Sequence, residues 1–454
     1  MRRFLEGSLI LGVVVSVLAF GGAEPISFAI VQLILLGAAA EVILRGAGPM
    51  GPFAWHAFMI PSLLTGVVLL QLCPLPASWL TRFTDRANSV AGARLNCWSI
   101  EPHSTQTQLL ILLTCVIAFY LAQFVSQDRD RKRRLVVSLV GLGTFEAFYG
   151  LVQYLGDWQK IFTYTKKYDL EEATGTYINR NHYAGLLEMI LPFSIALIFY
   201  EYGKLRGDDP HLGTSVKRMM PRRSFQRFVL CLGIAAVIFA ALIFSRSRMG
   251  IIAASASMLV IFGLLLIFRR QRKSGIVLFA IFIALSVGLA IWIGPGPIVG
   301  RFENVGQEYE LRDQSRLSIW RDAMGLIERH PLFGTGLGTF PVAYTSVQTA
   351  FLGQFVNHAH NDYVELASDL GLPAALVLFA SFFFVLARAA RTFRNSMRNL
   401  DRAIALGCVG SLVAILLHSL TDFNLYMPAN ALIFSVVLGL GISTQGRNSE
   451  LRSE

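Results

Sequence analysis

The stretch RFVLCLGIAAVIFAALIFSRSRMGIIAASASMLVIFGLLLIFRRQRK, residues 227–273, decides the fold class. It contains two apolar runs, 227–244 and 250–268, with a short polar turn between them. Each run has the length that a helix needs to cross about 30 Å of hydrocarbon. Because a helix satisfies its own backbone hydrogen bonds, such a run is stable in lipid. The stretch therefore predicts two membrane-spanning helices joined outside the bilayer.

The rest of the chain repeats this pattern. Of its 454 residues, 54% are hydrophobic and only 15% are charged, whereas soluble domains carry about 25% charged residues. The apolar residues are grouped in runs at 5–23, 26–44, 57–73, 107–125, 135–155, 183–202, 227–244, 250–268, 275–293, 363–387, 403–420 and 428–443. The sequence thus predicts an all-α membrane protein with about 12 transmembrane helices and excludes a soluble domain.

Basic residues predict how these helices are oriented. With a cytoplasmic N-terminus, the basic clusters 129–134, 269–273 and 388–402 all fall on the cytoplasmic side, which is the positive-inside pattern. The net charge of +11 then reflects topology and contact with membrane lipids. No nucleic-acid partner is predicted, because the charge is scattered over loop ends rather than gathered in one basic domain.

The orientation divides the chain into three parts. Residues 1–293 hold spans one to nine, residues 294–362 form a large periplasmic loop between spans nine and ten, and residues 363–454 hold spans ten to twelve and a cytoplasmic tail. A loop of this length is too long to be a simple connector, and such loops are usually functional or disordered. Its aromatic and apolar residues argue against disorder, so we expect chemistry here.

A helix is predicted within the loop, over residues 313–330. Its apolar residues recur at helical spacing. They are Leu317, Trp320, Met324 and Ile327. The pattern indicates an amphipathic helix that lies on the membrane surface or on the helix bundle.

Arginines on this helix and in one short turn are candidates for binding an anion. Arg312 and Arg316 lie one helical turn apart on the same face, and Arg321 is nearby. Arg246 and Arg248 lie in the turn between spans seven and eight, where the positive-inside rule disfavours arginine. Guanidinium groups bind phosphate oxygens through two parallel hydrogen bonds. The alternatives are a solvated basic face on the helix and a contact with lipid headgroups at the turn.

Two motifs in the loop resemble well-known binding sites. The glycine series at 334–338 has no preceding strand and no following Lys-Ser/Thr, so a bend is preferred to a nucleotide-binding loop. The HxHxD pattern at 358–362 holds two histidines that can bind zinc from an extended chain. An apolar run begins directly after it, however, unlike in soluble metallohydrolases, so no metal is predicted.

Two further polar clusters lie at the outer ends of predicted spans. In the first, 175–182, Asn181 and His182 are candidate binding residues, and the alternative is that Asn181 caps the sixth span. In the second, His418 and Asp422 lie one helical turn apart and either bind substrate or close a helix end.

Cysteine usage leaves one question open. Cys73 and Cys97 lie at the border of, or inside, one outside loop, where an oxidising periplasm would allow a disulfide. The sequence does not decide whether they pair. The remaining cysteines lie in predicted spans and are interpreted as small core residues.

Several of these segments together resemble the O-antigen ligase and polymerase superfamily. The resemblance rests on RLSIWRDA at 316–323, HPLFGTGLGTF at 330–340 and HAHNDYVELASDLGLP at 358–373, with support from 175–182, 245–248 and 422–424. It covers the chain from about residue 135 to residue 443. The histidine motif of the ligases is matched by His360, Asn361 and Gly371, whereas Ala374 departs from it. That departure weakens assignment to the ligases proper relative to the polymerases.

The resemblance implies a GT-C-like, metal-independent glycosyltransferase that needs no cofactor and works at the periplasmic face of the bacterial inner membrane. Such enzymes transfer a glycan from undecaprenyl diphosphate to a sugar hydroxyl. The acceptor is lipid A–core for ligases and another lipid-linked repeat unit for polymerases. Two other classes stay open, namely a polysaccharide transporter and a non-enzymatic assembly subunit. The first is disfavoured because the ionisable clusters lie mainly at one face rather than at the bilayer midplane.

By the same resemblance, the essential arginines map to Arg246 or Arg248 and to Arg316, with Arg321 less favoured, and the motif histidine maps to His360. Preorganised arginines stabilise the growing charge of a diphosphate leaving group. A neutral imidazole suits the role of general base toward an acceptor hydroxyl. We therefore predict a diphosphate clamp of arginines with His360 as base, or alternatively His360 as a cation that binds diphosphate. Further residues predicted to bind substrate are Arg312, Asn361, Asn181, His182 and Asp422.

Overall fold

The structure is a computed structural model, and it describes residues 1–45, 55–75, 97–205, 221–268, 271–293, 305–349 and 355–443. Regular structure in this part of the chain is almost entirely helical. The helices are α1 (Arg2–Leu18), α2 (Pro25–Leu44), α3 (Trp55–Leu72), α4 (Pro102–Val125), α5 (Arg129–Leu155), α6 (Arg180–Leu205), α7 (Pro221–Phe244), α8 (Arg248–Ile267), α9 (Arg272–Ile293), α10 (Val305–Arg329), α11 (Phe340–Tyr344), α12 (Asp362–Leu370), α13 (Leu372–Asn395), α14 (Asn399–His418) and α15 (Pro428–Ser443). Strands β1 (Lys160–Ile161) and β2 (Tyr164–Thr165) form a short antiparallel hairpin.

The helices agree closely with the predicted spans. Each predicted run contains all or most of one of these helices. Among the described residues, 8 helices are long and apolar enough to cross a membrane. The all-α membrane fold is therefore confirmed. The exact number of crossings and the division into three parts at 293 and 362 stay predictions.

The tenth predicted run, 363–387, is not one helix, and its prediction as a continuous span was wrong. Gly371 divides it into α12 and α13 and has a φ of +79°. A Cβ atom at this position would lie 2.5 Å from the Leu332 carbonyl oxygen, so only glycine fits without a shift. The break makes α12 a separate short helix. We call the end of the bundle where α12 lies the outer end.

Helices α6 and α14 form the centre of the bundle. The most apolar stretch of α6 is wholly buried, and 89% of the corresponding stretch of α14 is buried. Gly407 of α14 faces the ring of Phe193, and the Ser257 hydroxyl of α8 donates to the Gly410 carbonyl over 2.7 Å. Small residues at such contacts let helix backbones approach closely in a membrane. The result is a rigid platform on which the polar outer end is built.

The glycine series at 334–338 forms a structural turn at the outer end. All three of its glycines have positive φ. Gln71, at the end of α3, donates its amide to the carbonyls of Phe333 and Asp369 over 2.7 and 2.8 Å. One side chain thereby ties α3, the turn and α12 together. The predicted bend is confirmed by this geometry.

The helix predicted over 313–330 is confirmed as part of α10, but its buried face differs from the predicted one. The side chains of Leu317 and Met324 are 56% and 42% exposed. The buried residues are Ile319, Ala323, Leu326 and Ile327. Trp320 is half-buried and donates its indole N–H to the Ala359 carbonyl over 2.8 Å. The helix thus packs on the segment that leads to α12, a contact that helical periodicity alone does not specify.

Cys73 and Cys97 are not joined by a disulfide. Their chain segments touch, because Pro74 and Cys97 form an isolated antiparallel bridge. The Cys73 thiol lies 3.8 Å from the Pro74 carbonyl, and the Cys97 thiol lies 3.6 Å from the Ser99 carbonyl. The two thiols are therefore directed at different backbone groups rather than at each other.

Candidate active site

The extended segment 355–361 brings two histidines to the outer end of the bundle. It ends at Asn361, whose side-chain oxygen accepts the N–H groups of Tyr363 and Val364 over 3.0 and 3.2 Å. This is an N-cap, which satisfies backbone donors of the first turn of α12. The predicted contact of Asn361 with substrate stays a prediction. Just before the cap, His360 adopts a left-handed conformation with φ of +51°.

His360 is held from one side and open on the other. Its Nδ1 lies 3.5 Å from Oδ1 of Asp422, and its ring meets the edge of Phe423 at a centroid distance of 5.1 Å. The His360 side chain is nevertheless 34% exposed, whereas that of Asp422 is only 2% exposed. Such an imidazole can meet a bound molecule while a buried carboxylate fixes its orientation.

Asp422 is the buried acid of the cluster. Its Oδ1 accepts the Phe423 N–H over 2.9 Å and also lies 3.9 Å from Nε2 of His182. Burial by itself favours the neutral acid, but the nearby imidazoles of His360, His182 and His418 together lower the pKa of Asp422 below its ordinary value. Asp422 is therefore an anion that serves His360 on one side and His182 on the other.

Phe423 lies at the centre of three imidazoles. The His358 ring stacks on it at a centroid distance of 3.8 Å, and the His182 ring meets it edge-on at 4.6 Å. His358 is anchored in turn, because its Nδ1 lies 2.7 Å from Oε1 of Glu365 in α12. His358 thus pairs with Glu365, His360 and His182 both face Asp422, and all three rings pack on Phe423.

A second histidine–carboxylate pair lies directly below the cluster, inside the bundle. Nδ1 of His418 lies 3.0 Å from both carboxylate oxygens of Glu188, and both side chains are buried. His418 is the last residue of α14. Arg316 of α10 lies close enough to His418 for their charges to interact. Arg316 is thus within electrostatic range of His418, and its position relative to His360 stays a prediction.

The other predicted arginines have different surroundings. Arg246 has a φ of +53°, and its Nη1 lies 3.2 Å from the carboxylate of Glu171. Arg248 is the first residue of α8. Arg321 is exposed on α10, and Arg312 lies outside the residues whose side chains the structure describes. The convergence of these arginines with His360 on one cavity stays a prediction.

The polar segment before α6 is capped by a different residue from the one expected. The side chain of Asn179, not that of Asn181, accepts a backbone N–H at the start of α6 over 2.8 Å. Asn181 is half-buried, and His182 is buried beside Asp422. Capping by Asn181 is therefore excluded, and its contact with substrate stays a prediction.

The HxHxD side chains do not form one ligand set. His358 turns to Glu365 and His360 to Asp422, whereas the carboxylate of Asp362 accepts the Leu425 N–H over 3.2 Å. Across the described ranges, no group of three or more His, Cys, Asp or Glu residues is arranged to hold a metal ion. The motif instead supplies one anchored and one accessible imidazole.

Sequence reasoning missed three residues that contact the histidines of the candidate site. Glu188 was hidden in an apolar run, although an acidic residue inside a predicted span is itself a functional signal. Glu365 follows His360 by little more than one helical turn and was assigned to the tenth span. Phe423 carries no titratable group, and only the tertiary structure shows that it contacts three histidines.

An apolar groove ends beside this cluster. It runs between α3, α4, α13 and α15 and encloses about 1210 Å³ of space, part of which is open to the surroundings. Its walls include Leu64, Leu112, Phe119, Leu378, Phe382 and Phe434. At the outer end it is bounded by Tyr426, whose ring lies 5.7 Å from the His358 ring. The Tyr426 hydroxyl donates to Asp369 over 2.8 Å. The apolar groove thus ends at a tyrosine that lies next to one histidine of the polar site.

Comparison with known protein families identifies part of the chain. Residues 233–379 match the model of a protein family described as O-antigen ligase. The matched part runs from α7 to the first turns of α13 and includes Arg246, Arg316 and His360. No curated protein matches the chain.

Proposed function

We propose that this chain, whose residues 233–379 match the O-antigen ligase family, is a membrane glycosyltransferase of the O-antigen ligase and polymerase superfamily. It transfers a glycan from undecaprenyl diphosphate to a sugar hydroxyl of an acceptor such as lipid A–core. The observation that carries the proposal is the accessible His360, which is held by a buried carboxylate and packs on Phe423. His358 stacks on the same ring and lies 5.7 Å from Tyr426, which bounds an apolar groove.

The proposed chemistry uses His360 as general base. The acceptor hydroxyl oxygen forms a bond to the anomeric carbon of the donor glycan, and its proton moves to Nε2 of His360. The bond between that carbon and the diphosphate oxygen breaks, and the diphosphate leaves with the electron pair. An imidazole titrates near neutral pH, which matches the requirements of general base catalysis. The contact of Nδ1 with Asp422 leaves Nε2 to face the acceptor.

The leaving diphosphate requires positive charge. Arg316 is the arginine whose charge interaction with His418 supports this role, and Arg246 or Arg248 complete the clamp in our proposal. Fixed guanidinium groups in a site of low dielectric stabilise charge that develops in the transition state. No metal is needed in this scheme. The alternative role of His360, as an imidazolium bound to diphosphate, makes a different prediction for donor binding, which the Discussion uses.

The apolar groove supplies a place for the lipid part of the donor. Its walls are apolar along α3, α4, α13 and α15, and its outer end lies beside Tyr426 and the His358 ring. A polyprenyl chain in the groove would present its diphosphate at the outer end of the bundle. This arrangement supports a site at the periplasmic face of the bacterial inner membrane, the orientation that the basic residues predict.

Polymerisation of lipid-linked repeat units is the second candidate function. It differs from ligation only in the acceptor, which is another lipid-linked glycan. The observation that favours it is Ala374, which stands at the position where the ligase motif has Gly, Thr or Tyr. Ala374 is buried at the start of α13 and packs in the cluster that contains Leu366 and Leu370.

Narrowing the groove is expected to weaken donor binding. Leu378→Trp places bulk inside the groove, whereas Leu376→Trp adds the same bulk to the exposed side of the same helix. Loss of contacts equal to about two buried methylene groups weakens binding about tenfold. Donor affinity of the purified variants, measured with an undecaprenyl-diphosphate glycan, should fall for Leu378→Trp and stay near wild type for Leu376→Trp. Equal affinities for both variants would remove the groove from the proposal.

A further inference from the structure

His182 is a buried histidine of the candidate site. It lies in the first turn of α6, is only 3% exposed and meets Phe423 edge-on. Its backbone carbonyl accepts the Asn430 amide over 2.9 Å, which fixes the start of the helix. Its Nε2 has no hydrogen-bond partner at ordinary distance, and Oδ1 of Asp422 lies 3.9 Å away. A buried polar atom without a partner costs free energy and therefore requires an explanation.

The same carboxylate oxygen faces two imidazoles. Oδ1 of Asp422 lies 3.5 Å from Nδ1 of His360 and 3.9 Å from Nε2 of His182. Both distances exceed that of a normal N–H···O hydrogen bond by a few tenths of an ångström or more. Neither imidazole therefore makes a full hydrogen bond to this oxygen, and the two compete for it. The two histidines share one acceptor, and they come from elements that are far apart in the chain.

We propose that His182 is a positioning residue for His360, and that it acts by donating from Nε2 to the Asp422 carboxylate that orients the His360 ring. The effect of His182 on catalysis rests on the proposed glycan transfer. The arrangement of the two imidazoles around one carboxylate does not depend on which reaction is catalysed. His182 limits how strongly Asp422 attracts the proton of His360. In the proposed reaction, the His360 imidazole is then freer to accept a proton from the acceptor hydroxyl.

Substitutions of Asp422 and of His182 should shift the protonation of His360 in opposite directions. Asp422→Asn removes the anion beside His360, so its protonated form is disfavoured and the pH at which it takes up a proton falls. His182→Phe keeps a ring against Phe423 but removes the competing donor, so Asp422 holds a proton on His360 more strongly and that pH rises. His182→Gln restores an N–H donor and should return the behaviour toward wild type. If His182 had only a structural role, the two substitutions would not shift the protonation of His360 in opposite directions.

The other charged groups around His182 and Asp422 are the same in the wild type and in all three variants. They are His358 and Glu365 beside Phe423, Asp362 at the start of α12, His418 and Glu188 inside the bundle, and Arg316 on α10. None of them is altered in the variants. Each contributes equally to the wild type and to the three variants, so differences in titration report on His182 and Asp422.

The test measures the protonation of His360 directly in the full-length, detergent-purified protein. Diethyl pyrocarbonate modifies neutral imidazole, and mass spectrometry quantifies the modification at His360 as a function of pH. The measured quantity is the midpoint of the curve of His360 modification against pH. Relative to wild type, we expect this midpoint to fall by about one pH unit in Asp422→Asn and to rise by about half a unit in His182→Phe. His182→Gln should stay near wild type. His103→Ala, an exposed histidine at the start of α4, serves as the control and should leave the midpoint unchanged.

The proposal is overturned if His182→Phe leaves the midpoint unchanged or lowers it. It is also overturned if His182→Gln behaves like His182→Phe. If Asp422→Asn does not fold, as thermal unfolding would show, the comparison of His182→Phe with His182→Gln still decides. Because no glycan is present, a wild-type protein that fails to transfer glycan would sink the proposed function without changing this result. Where glycan transfer is measurable, the pH at which the transfer rate falls on the acid side should shift in each variant in the same direction as the midpoint of His360 modification.

Discussion

Replacing His360 by alanine is expected to lower the rate of glycan transfer by about 10²–10⁴-fold, the range expected for a general base. The imidazole is accessible, and Asp422 fixes its orientation from the buried side. An alanine leaves no group to accept the proton of the acceptor hydroxyl. Donor binding should change little, because the base contacts the acceptor rather than the diphosphate. The measurement is the single-turnover rate of transfer together with donor affinity for the purified variant.

The matched control is His103→Ala, which removes an exposed histidine at the start of α4 and should transfer at the wild-type rate. The two proposed roles of His360 differ in donor affinity. If His360→Ala loses donor binding in parallel with rate, the imidazole binds diphosphate as a cation. A wild-type rate in His360→Ala would place the active site elsewhere.

Replacing Arg316 by alanine is expected to lower transfer by about 10²–10³-fold, comparable with the loss of one oxyanion-hole donor. Arg316 is half-buried on α10 and interacts with the charge of His418 at the histidine cluster. Its loss removes fixed positive charge from a place where diphosphate charge grows. Donor affinity should fall as well, because the ground-state diphosphate is already anionic. Arg316→Lys should restore only part of the rate, since an ammonium cannot make the two-pronged contact.

Arg329→Ala is the matched control for Arg316. It removes an exposed arginine from the last turn of the same helix and should leave donor affinity and rate near wild type. If Arg316→Ala behaved like this control, the diphosphate clamp would have to be built from other arginines. Donor binding that stays intact in Arg316→Ala but is lost in His360→Ala would invert the two roles.

The membrane fold was predictable from the sequence because lipid imposes a length and an apolar composition on each span. Every predicted run contains a helix for this reason. The break at Gly371 was not predicted, because it depends on the close approach of the Leu332 carbonyl, a tertiary contact. The buried face of α10 was also missed, since apolar residues occur on more than one side of it. Packing against the 355–361 segment, rather than periodicity, selects the face.

The sequence predicted which residues belong to the candidate site. It did not predict which carboxylate lies next to which histidine. His360, Asp422 and His182 were all singled out from the sequence, yet nothing in it indicates that one carboxylate oxygen serves both histidines. Glu188 pairs with His418 across 230 positions of sequence. An isolated acidic residue in an apolar run signals a buried partner but does not identify it. Such partners follow only from the packing of α6 against α14.

The central claim, transfer of a glycan from a lipid diphosphate to a sugar hydroxyl, is tested most directly by reconstitution. The purified protein in lipid nanodiscs is mixed with an undecaprenyl-diphosphate glycan and either lipid A–core or a second lipid-linked glycan, in buffer with EDTA. We predict a new glycosidic bond to one of these acceptors and release of one undecaprenyl diphosphate for each bond formed. Protein that binds the donor but transfers glycan to neither acceptor, with or without divalent metal, would contradict the account.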